Sequence, residues 1–299
     1  MLFRSILLML ATVVALVWAN SPWSGGYHDL WHTEFHLGVG DFRLEHHGHS
    51  LTLAELVNDA LMAVFFFVVG LEIKRELVDG HLHDRRAALL PAAGALGGMV
   101  VPAAIYLICN QSGDASAGWG IPMATDIAFA VGILSLLGDR ISTPLKVFLL
   151  SLAIVDDIGA IIVIAVFYTS DLATGWLALA VATTVAVVVL TRLKIWYTPL
   201  YILLGSVLWY GMFRSGVHAT IAGVIMGLLA PAGALLAPGE VGPIDVGSLD
   251  AEGLRAAKFR MNESVSVAAR LERNLHPITG FVIIPMFAQI GRASCRERV

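Results

Sequence analysis

Two adjacent carboxylic acids, Asp156 and Asp157, stand at the midpoint of an otherwise apolar run, Leu145–Tyr168. Two more acids share that setting. Asp126 lies three residues from the middle of Ile121–Leu137, and Asp59, next to Asn58, lies three from the middle of Leu53–Leu71. An Asp at the centre of a membrane helix costs roughly 2.5–3.5 kcal/mol to insert, so four of them cost on the order of 10 kcal/mol. The one basic residue in these runs, Lys146, sits at an edge and cannot offset that cost. Such acids are expected to face a hydrated cavity. Neighbouring helix positions point about 100° apart, so Asp156 and Asp157 can border the same cavity in different directions. Two negative charges about 6 Å apart repel by roughly 3 kcal/mol at an effective dielectric near 20. Desolvation adds to the repulsion, and both favour a proton shared between the pair. A small hard cation with oxygen ligands, such as Na⁺ or Li⁺, neutralises the same charges. Protons and cations then compete for one site, which is the elementary requirement of an exchanger. Asp59 also admits a plainer reading, a hydrogen bond between packed helices.

The elements that hold these acids follow from composition. Among 299 residues, apolar types make up 57% and charged types 14%, with a mean hydropathy of +0.78. Soluble domains carry about 25% charged residues, and so few charges cannot cover this much apolar surface in water. The expected class is an all-α polytopic membrane protein. Apolar runs fall at Ile6–Ala19, Leu53–Leu71, Ala87–Cys109, Ile121–Leu137, Leu145–Tyr168, Ala173–Thr191, Thr198–Phe213 and Val217–Leu236, with a short stub at Pro277–Ala288. Arg4 followed by an apolar stretch also resembles a secretory signal, but Val17-Trp18-Ala19 is not a small-x-small cleavage site, which favours an anchored helix. With the N-terminus cytoplasmic, inside segments hold 14 Lys and Arg, and outside loops hold only Arg43 and Arg214. That asymmetry supports both the orientation and the span count. A net charge of −4 with pI near 6.2 suggests no nucleic-acid partner. Cys109 and Cys295 define no disulfide framework.

Between the runs, residues 20–52 are polar and alternate around Gly40-Asp41, the pattern of an extracytoplasmic β-hairpin at 34–50. Residues 237–275 read as a cytoplasmic linker ending in a basic amphipathic segment. Residues 1–288 are expected to form an incomplete membrane domain, and 289–299 a non-native tail. Gly118, Gly120, Pro122 and Thr125 around Asp126 suit a broken helix with free backbone groups. Gly94 and Gly98 form a GxxxG expected to pack helices closely. Glu72-Ile-Lys-Arg-Glu76 reads either as an interface anchor or as an acidic funnel. His28, His32 and His36 carry helical spacing in a region that otherwise reads as hairpin, so a transition-metal site is disfavoured. His218 sits just inside a span.

These stretches resemble the NhaA-type Na⁺/H⁺ antiporters. The resemblance rests on Ala124–Ala130, Leu152–Ile161, Asn58–Phe66, Val69–Leu77 and Ser215–Thr220, together with Arg270-Leu271-Glu272 and Leu275-His276-Pro277. It implies an inverted-repeat transporter with discontinuous helices in the bacterial inner membrane. It further implies electrogenic exchange of cytoplasmic Na⁺ or Li⁺ for external protons, serving pH and Na⁺ homeostasis, with no cofactor and no enzymatic reaction. By the same resemblance Asp156 and Asp157 bind cation and proton, Thr125 and Asp126 line the site, and Asp59 supports it. Glu72, Arg75, Glu76, His218, Glu272 and His276 are then expected to set the pH response, and the 34–50 hairpin to make a homodimer within membrane lipid. The family pattern also includes about three further spans and an intramembrane Lys, whereas no Lys follows Lys258. The 299-residue chain is therefore expected to be inactive alone.

Two rival classes remain. One is a non-transporting membrane fragment. The other is an intramembrane aspartyl protease, since Gly38-Val39-Gly40-Asp41 satisfies GxGD, although in a polar segment.

Overall fold

A computed structural model describes residues 2–35, 38–39, 42–43, 45–46, 49–78, 80, 85–111, 114–123, 140–169, 172–193, 195, 197–231 and 266–290. Backbone amides and carbonyls in hydrocarbon must be satisfied within their own segment, so apolar runs of this length become helices. Helix α1 (Leu2–Ala19) turns through 114° into α2 (Ser24–Trp31). Helix α3 (Leu53–Val78) opens on a capping box, in which the Thr52 hydroxyl accepts from the Glu55 amide while Glu55 Oε2 accepts from the Thr52 amide. Next come α4 (Arg85–Cys109), a 3₁₀ helix (Asp114–Met123), α5 (Thr143–Phe167) and α6 (Thr174–Arg192). Helix α7 (Thr198–Ser215) stops at Gly216, whose φ of 81° is left-handed, and α8 (Thr220–Leu229) follows. The last run is α9 (Val267–Ile278), a π turn (Thr279–Ile283) and α10 (Ile284–Ile290). Among the described residues α3, α4, α5 and α6 are each long and apolar enough to cross a bilayer, and α1 with α2 makes a fifth if counted as one bent span.

Lipid is as apolar as leucine, so helix association relies on close approach at small residues. The α3–α8 pair shows this most clearly. A Cβ at Gly70 would lie 2.8 Å from the Val224 carbonyl, and one at Gly223 would overlap the Ala63 carbonyl. Helix α4 packs on α5, α6 on α7, α1 on α10 and α9 on α3. Apolar side chains such as Leu89 and Leu90, 72% and 69% exposed, cover the outside as a lipid-facing surface requires. Near the chain's N-terminal end, Ala19, Tyr27, Trp31, Val57 and Ile290 form one buried cluster. The Tyr27 hydroxyl donates to the Gln289 carbonyl, and the Gln289 amide donates to the Ala11 carbonyl at 3.2 Å.

Several expectations change. The polar stretch 20–52 is not all hairpin, because Ser24–Trp31 is helical and brings the His28 and His32 rings into a stack 6.4 Å apart. His36 lies outside the described residues. The strand segment holds a two-stranded and a three-stranded sheet. Strand β2 (Gly38–Val39) pairs antiparallel with β3 (Phe42–Arg43), Val39 opposite Phe42, as the alternation suggests, and Gly40-Asp41 lies outside the described residues. Strand β5 (His49–Thr52) is flanked by β1 (Glu34–Phe35) and β4 (Glu45–His46), with Glu34 opposite Thr52 and His46 opposite His49. The GxGD motif thus begins in strand, not helix. The end of the expected linker and the expected stub form one helical run from Val267 to Ile290. In the GxxxG, Gly94 meets Leu152 of α5, but nothing lies within 4 Å of a Cβ built at Gly98.

Candidate functional site

Helix α5 sits between two partners, and its sequence divides accordingly. Leu152, Val155 and Val163 pack toward Met99 and Ala103 of α4, while Ile154, Ile158 and Ile161 pack toward Val69 and Ile73 of α3. The remaining stripe, Asp157, Ala160 and Ile164, keeps i, i+3, i+7 spacing and lines a cavity of about 890 Å³. Asp156, one position round the helix, is 3% exposed, and its Oδ2 has no hydrogen-bond partner among the described residues. The two adjacent acids therefore take different environments. One borders the cavity and the other is buried beside it.

Helix α3 supplies the facing wall. Thr52 and Glu55 start the helix, and at Val57–Leu61 the chain runs as a π turn, with the Met62 amide reaching back to the Val57 carbonyl. Such a turn inserts one residue and rotates everything on one side of it by about 100° relative to the other. Glu55, Asn58 and Asp59 line the cavity in this register, together with Met62, Phe65 and Phe66 farther along. The indole N–H of Trp209, from α7, donates to the Asp59 carbonyl at 2.8 Å, inside the π turn. The α7–α8 connection closes a third side with Gly216, His218 and Thr220. There the Ser215 hydroxyl donates to the Met212 carbonyl at 2.8 Å and accepts from the Val217 amide at 3.3 Å. Gly120, Ile121 and Met123 of the 3₁₀ helix, with Tyr168, complete the lining.

Of the residues expected from sequence, Asp157, Asp59 and His218 thus meet around one cavity, with Asp156 adjoining. Thr125 and Asp126 lie outside the described residues. Glu72, Arg75, Glu76, Glu272 and His276 form no part of that cavity. Glu72, Arg75 and Glu76 lie toward the opposite end of α3, and Glu272 and His276 lie on α9, which packs on α3. Arg75 forms an ion pair with Glu272, and Glu72 interacts electrostatically with both. Glu76 and Glu272 are buried, and Glu272 Oε2 has no hydrogen-bond partner among the described residues. Sequence reasoning missed Glu55, Tyr168 and Trp209. Thr52-Leu-Ala-Glu55 did carry a legible capping signal. Nothing in the composition of Val57–Leu61 announces a π turn.

The cavity offers carboxylate, amide and hydroxyl oxygens facing one imidazole. That donor set suits protons and small hard cations rather than transition metals, which favour sulfur and nitrogen ligands. Its volume leaves room for an ion that keeps part of its water shell.

A family model described as Na⁺/H⁺ antiporter 1 matches residues 2–293. The chain is 50% identical over 289 residues to the Na(+)/H(+) antiporter NhaA 3 of Frankia alni, covering 95% of this chain and 61% of that protein. It is 46% identical over 301 residues to the Na(+)/H(+) antiporter NhaA of Oleidesulfovibrio alaskensis, covering 95% and 66%. Identity to the like-named protein of Rhodopirellula baltica is 46% over 296 residues, again with 95% and 66% covered. The chain thus spans less than two thirds of the length of these relatives.

Proposed function

Because the chain belongs to the Na⁺/H⁺ antiporter 1 family, we propose that it carries the ion site of a secondary transporter exchanging Na⁺ or Li⁺ for protons. It is a multi-pass membrane protein. One observation supports the reading above the rest: Asp157 and Asp59, from two different membrane-spanning helices, face the same cavity, and the buried Asp156 is next to Asp157 in the chain.

The chemistry follows from charge. With the cavity loaded by a cation, carboxylate oxygens replace part of the ion's water shell. Removing the cation leaves like charges close together in a poorly solvated place, which favours proton uptake. Loading one ion therefore expels the other, and no covalent step is needed. Thr125 and Asp126 are proposed to complete the site from the segment that follows the 3₁₀ helix. Glu72, Arg75, Glu76, Glu272 and His276 at the far end of α3, and His218 at the cavity, are proposed to tune the exchange with pH. The strand segment at 34–50 is proposed to join two copies, and the N-terminus to lie on the cytoplasmic side of the bacterial inner membrane.

The test uses everted vesicles containing the chain extended to the full length of its relatives, because the 299 residues alone are expected to be inactive. The vesicles are acidified by respiration and read with a pH-sensitive dye. Added Na⁺ or Li⁺ should dequench the dye, and Asp157→Asn should abolish that response. Equal exchange by the substituted chain rejects the assignment.

A further inference from the structure

The 3₁₀ helix Asp114–Met123 supplies Gly120, Ile121 and Met123 to the cavity wall, yet it is a weakly bonded element. Runs of ten residues in this geometry are uncommon because its hydrogen bonds are poorly aligned. Something outside it has to hold it. Tyr168, just past the last residue of α5, does so with one hydroxyl. That hydroxyl donates to the Ala117 carbonyl at 2.9 Å and accepts from the Gly120 amide at 3.0 Å. The glycines of this helix are what permit the approach. A Cβ at Gly120 would lie 2.7 Å from the Tyr168 hydroxyl oxygen, and one at Gly118 would lie 2.8 Å from that of Tyr106, near the end of α4. Trp119 meanwhile sets its ring edge-on to Phe167, with centroids 5.1 Å apart. Both Tyr168 and Gly120 also line the cavity that holds Asp157.

We propose that Tyr168 is a positioning residue: its hydroxyl clamps the 3₁₀ helix to the end of α5, and so fixes the cavity wall made by Gly120, Ile121 and Met123 relative to Asp157. This deepens the exchange reading and rests on it. The clamp joins two walls of the cavity across 48 residues of chain. Its loss changes how the two walls are aligned without removing any carboxylate.

The test compares Tyr168→Phe and Gly120→Ala in the full chain. The first keeps the ring and deletes the hydroxyl. The second keeps the hydroxyl and pushes it off the backbone. Two quantities are read: amide exchange across residues 114–123 in detergent micelles, and apparent KM and maximal rate for Na⁺ in everted vesicles containing the chain extended to the full length of its relatives. Both variants should speed amide exchange about fivefold to tenfold, the loss expected for one hydrogen bond. Both should also raise the apparent KM for Na⁺ at least threefold. Unchanged amide exchange in Tyr168→Phe overturns the clamp. Faster amide exchange with unchanged KM overturns the positioning role. If the unsubstituted extended chain exchanges no Na⁺, the proposed function falls, and amide exchange alone then decides the clamp.

Discussion

Replacing Gly223 with alanine should drive α8 away from α3. The new methyl group would overlap the Ala63 carbonyl and stand 2.9 Å from the Phe67 amide nitrogen, and both obstacles are backbone atoms that cannot swing aside. Ordinary carbon contacts begin near 3.5 Å, so the helices must separate by roughly half an ångström or more. A gap of that size forfeits about a quarter of the dispersion energy along the contact. Overpacking of this kind typically costs about 1–3 kcal/mol, partly offset by the ~0.5–1 kcal/mol that alanine gains over glycine in a helix. The net expectation is about 1–2 kcal/mol of destabilisation. Gly98→Ala is the matched control, since nothing lies within 4 Å of its added methyl group. There only the propensity gain remains, up to ~1 kcal/mol of stabilisation. Unfolding of the purified chain by SDS in mixed micelles, followed by far-ultraviolet circular dichroism, measures both. The two substitutions should move the midpoint in opposite directions. A Gly223→Ala chain as stable as Gly98→Ala would refute the close-packing argument.

Other outcomes follow from single contacts. Arg75→Gln should destabilise more than Glu272→Gln in the same SDS titration, because the first strands a buried carboxylate and the second neutralises it while exposing only a half-exposed Arg75. Equal losses would mean that the pair is a solvent-screened contact. Trp209→Phe should cost about 1 kcal/mol through the lost donor to the Asp59 carbonyl. It should keep much of the ring stack on Phe213 and speed amide exchange selectively across Val57–Leu61. Exchange raised evenly along α3 would instead indicate general loosening. Thr52→Ala should remove the capping box, costing about 1 kcal/mol, and an unchanged unfolding midpoint would contradict that.

Much of the architecture was legible because hydrocarbon leaves the chain few options. The apolar runs at Ala87, Leu145 and Ala173 became α4, α5 and α6 almost at their expected limits, whereas the run at Leu53, expected to end at Leu71, continues as α3 to Val78. Asp157 could be assigned to a cavity because an acid at a helix centre has little other use. Where packing decides the outcome, the sequence said less. Ser24–Trp31 was hidden by Gly25 and Gly26, poor helix formers that buried Tyr27 and Trp31 override. The start of the helix from Val267 reads as the end of a linker because its first turns are charged, yet Ala268 and Glu272 are buried against the rest of the protein. The π turn at Val57–Leu61 left no compositional trace, because it is a matter of register and of the Trp209 donor arriving from another helix. The different fates of Asp156 and Asp157 follow from 100° of helix rotation, but which one meets the cavity depended on where α3 and α4 sit.

The central claim is that cation and proton compete for the Asp156–Asp157 pair, and calorimetry tests it without requiring turnover. Li⁺ or Na⁺ is titrated into the purified full chain in two buffers of different ionisation enthalpy, and the difference in heat counts the protons released per cation bound. The account predicts release of about one proton or more at a pH where the pair is protonated, and none from Asp157→Asn. Cation binding that releases no proton, or a release that survives Asp157→Asn unchanged, would contradict it.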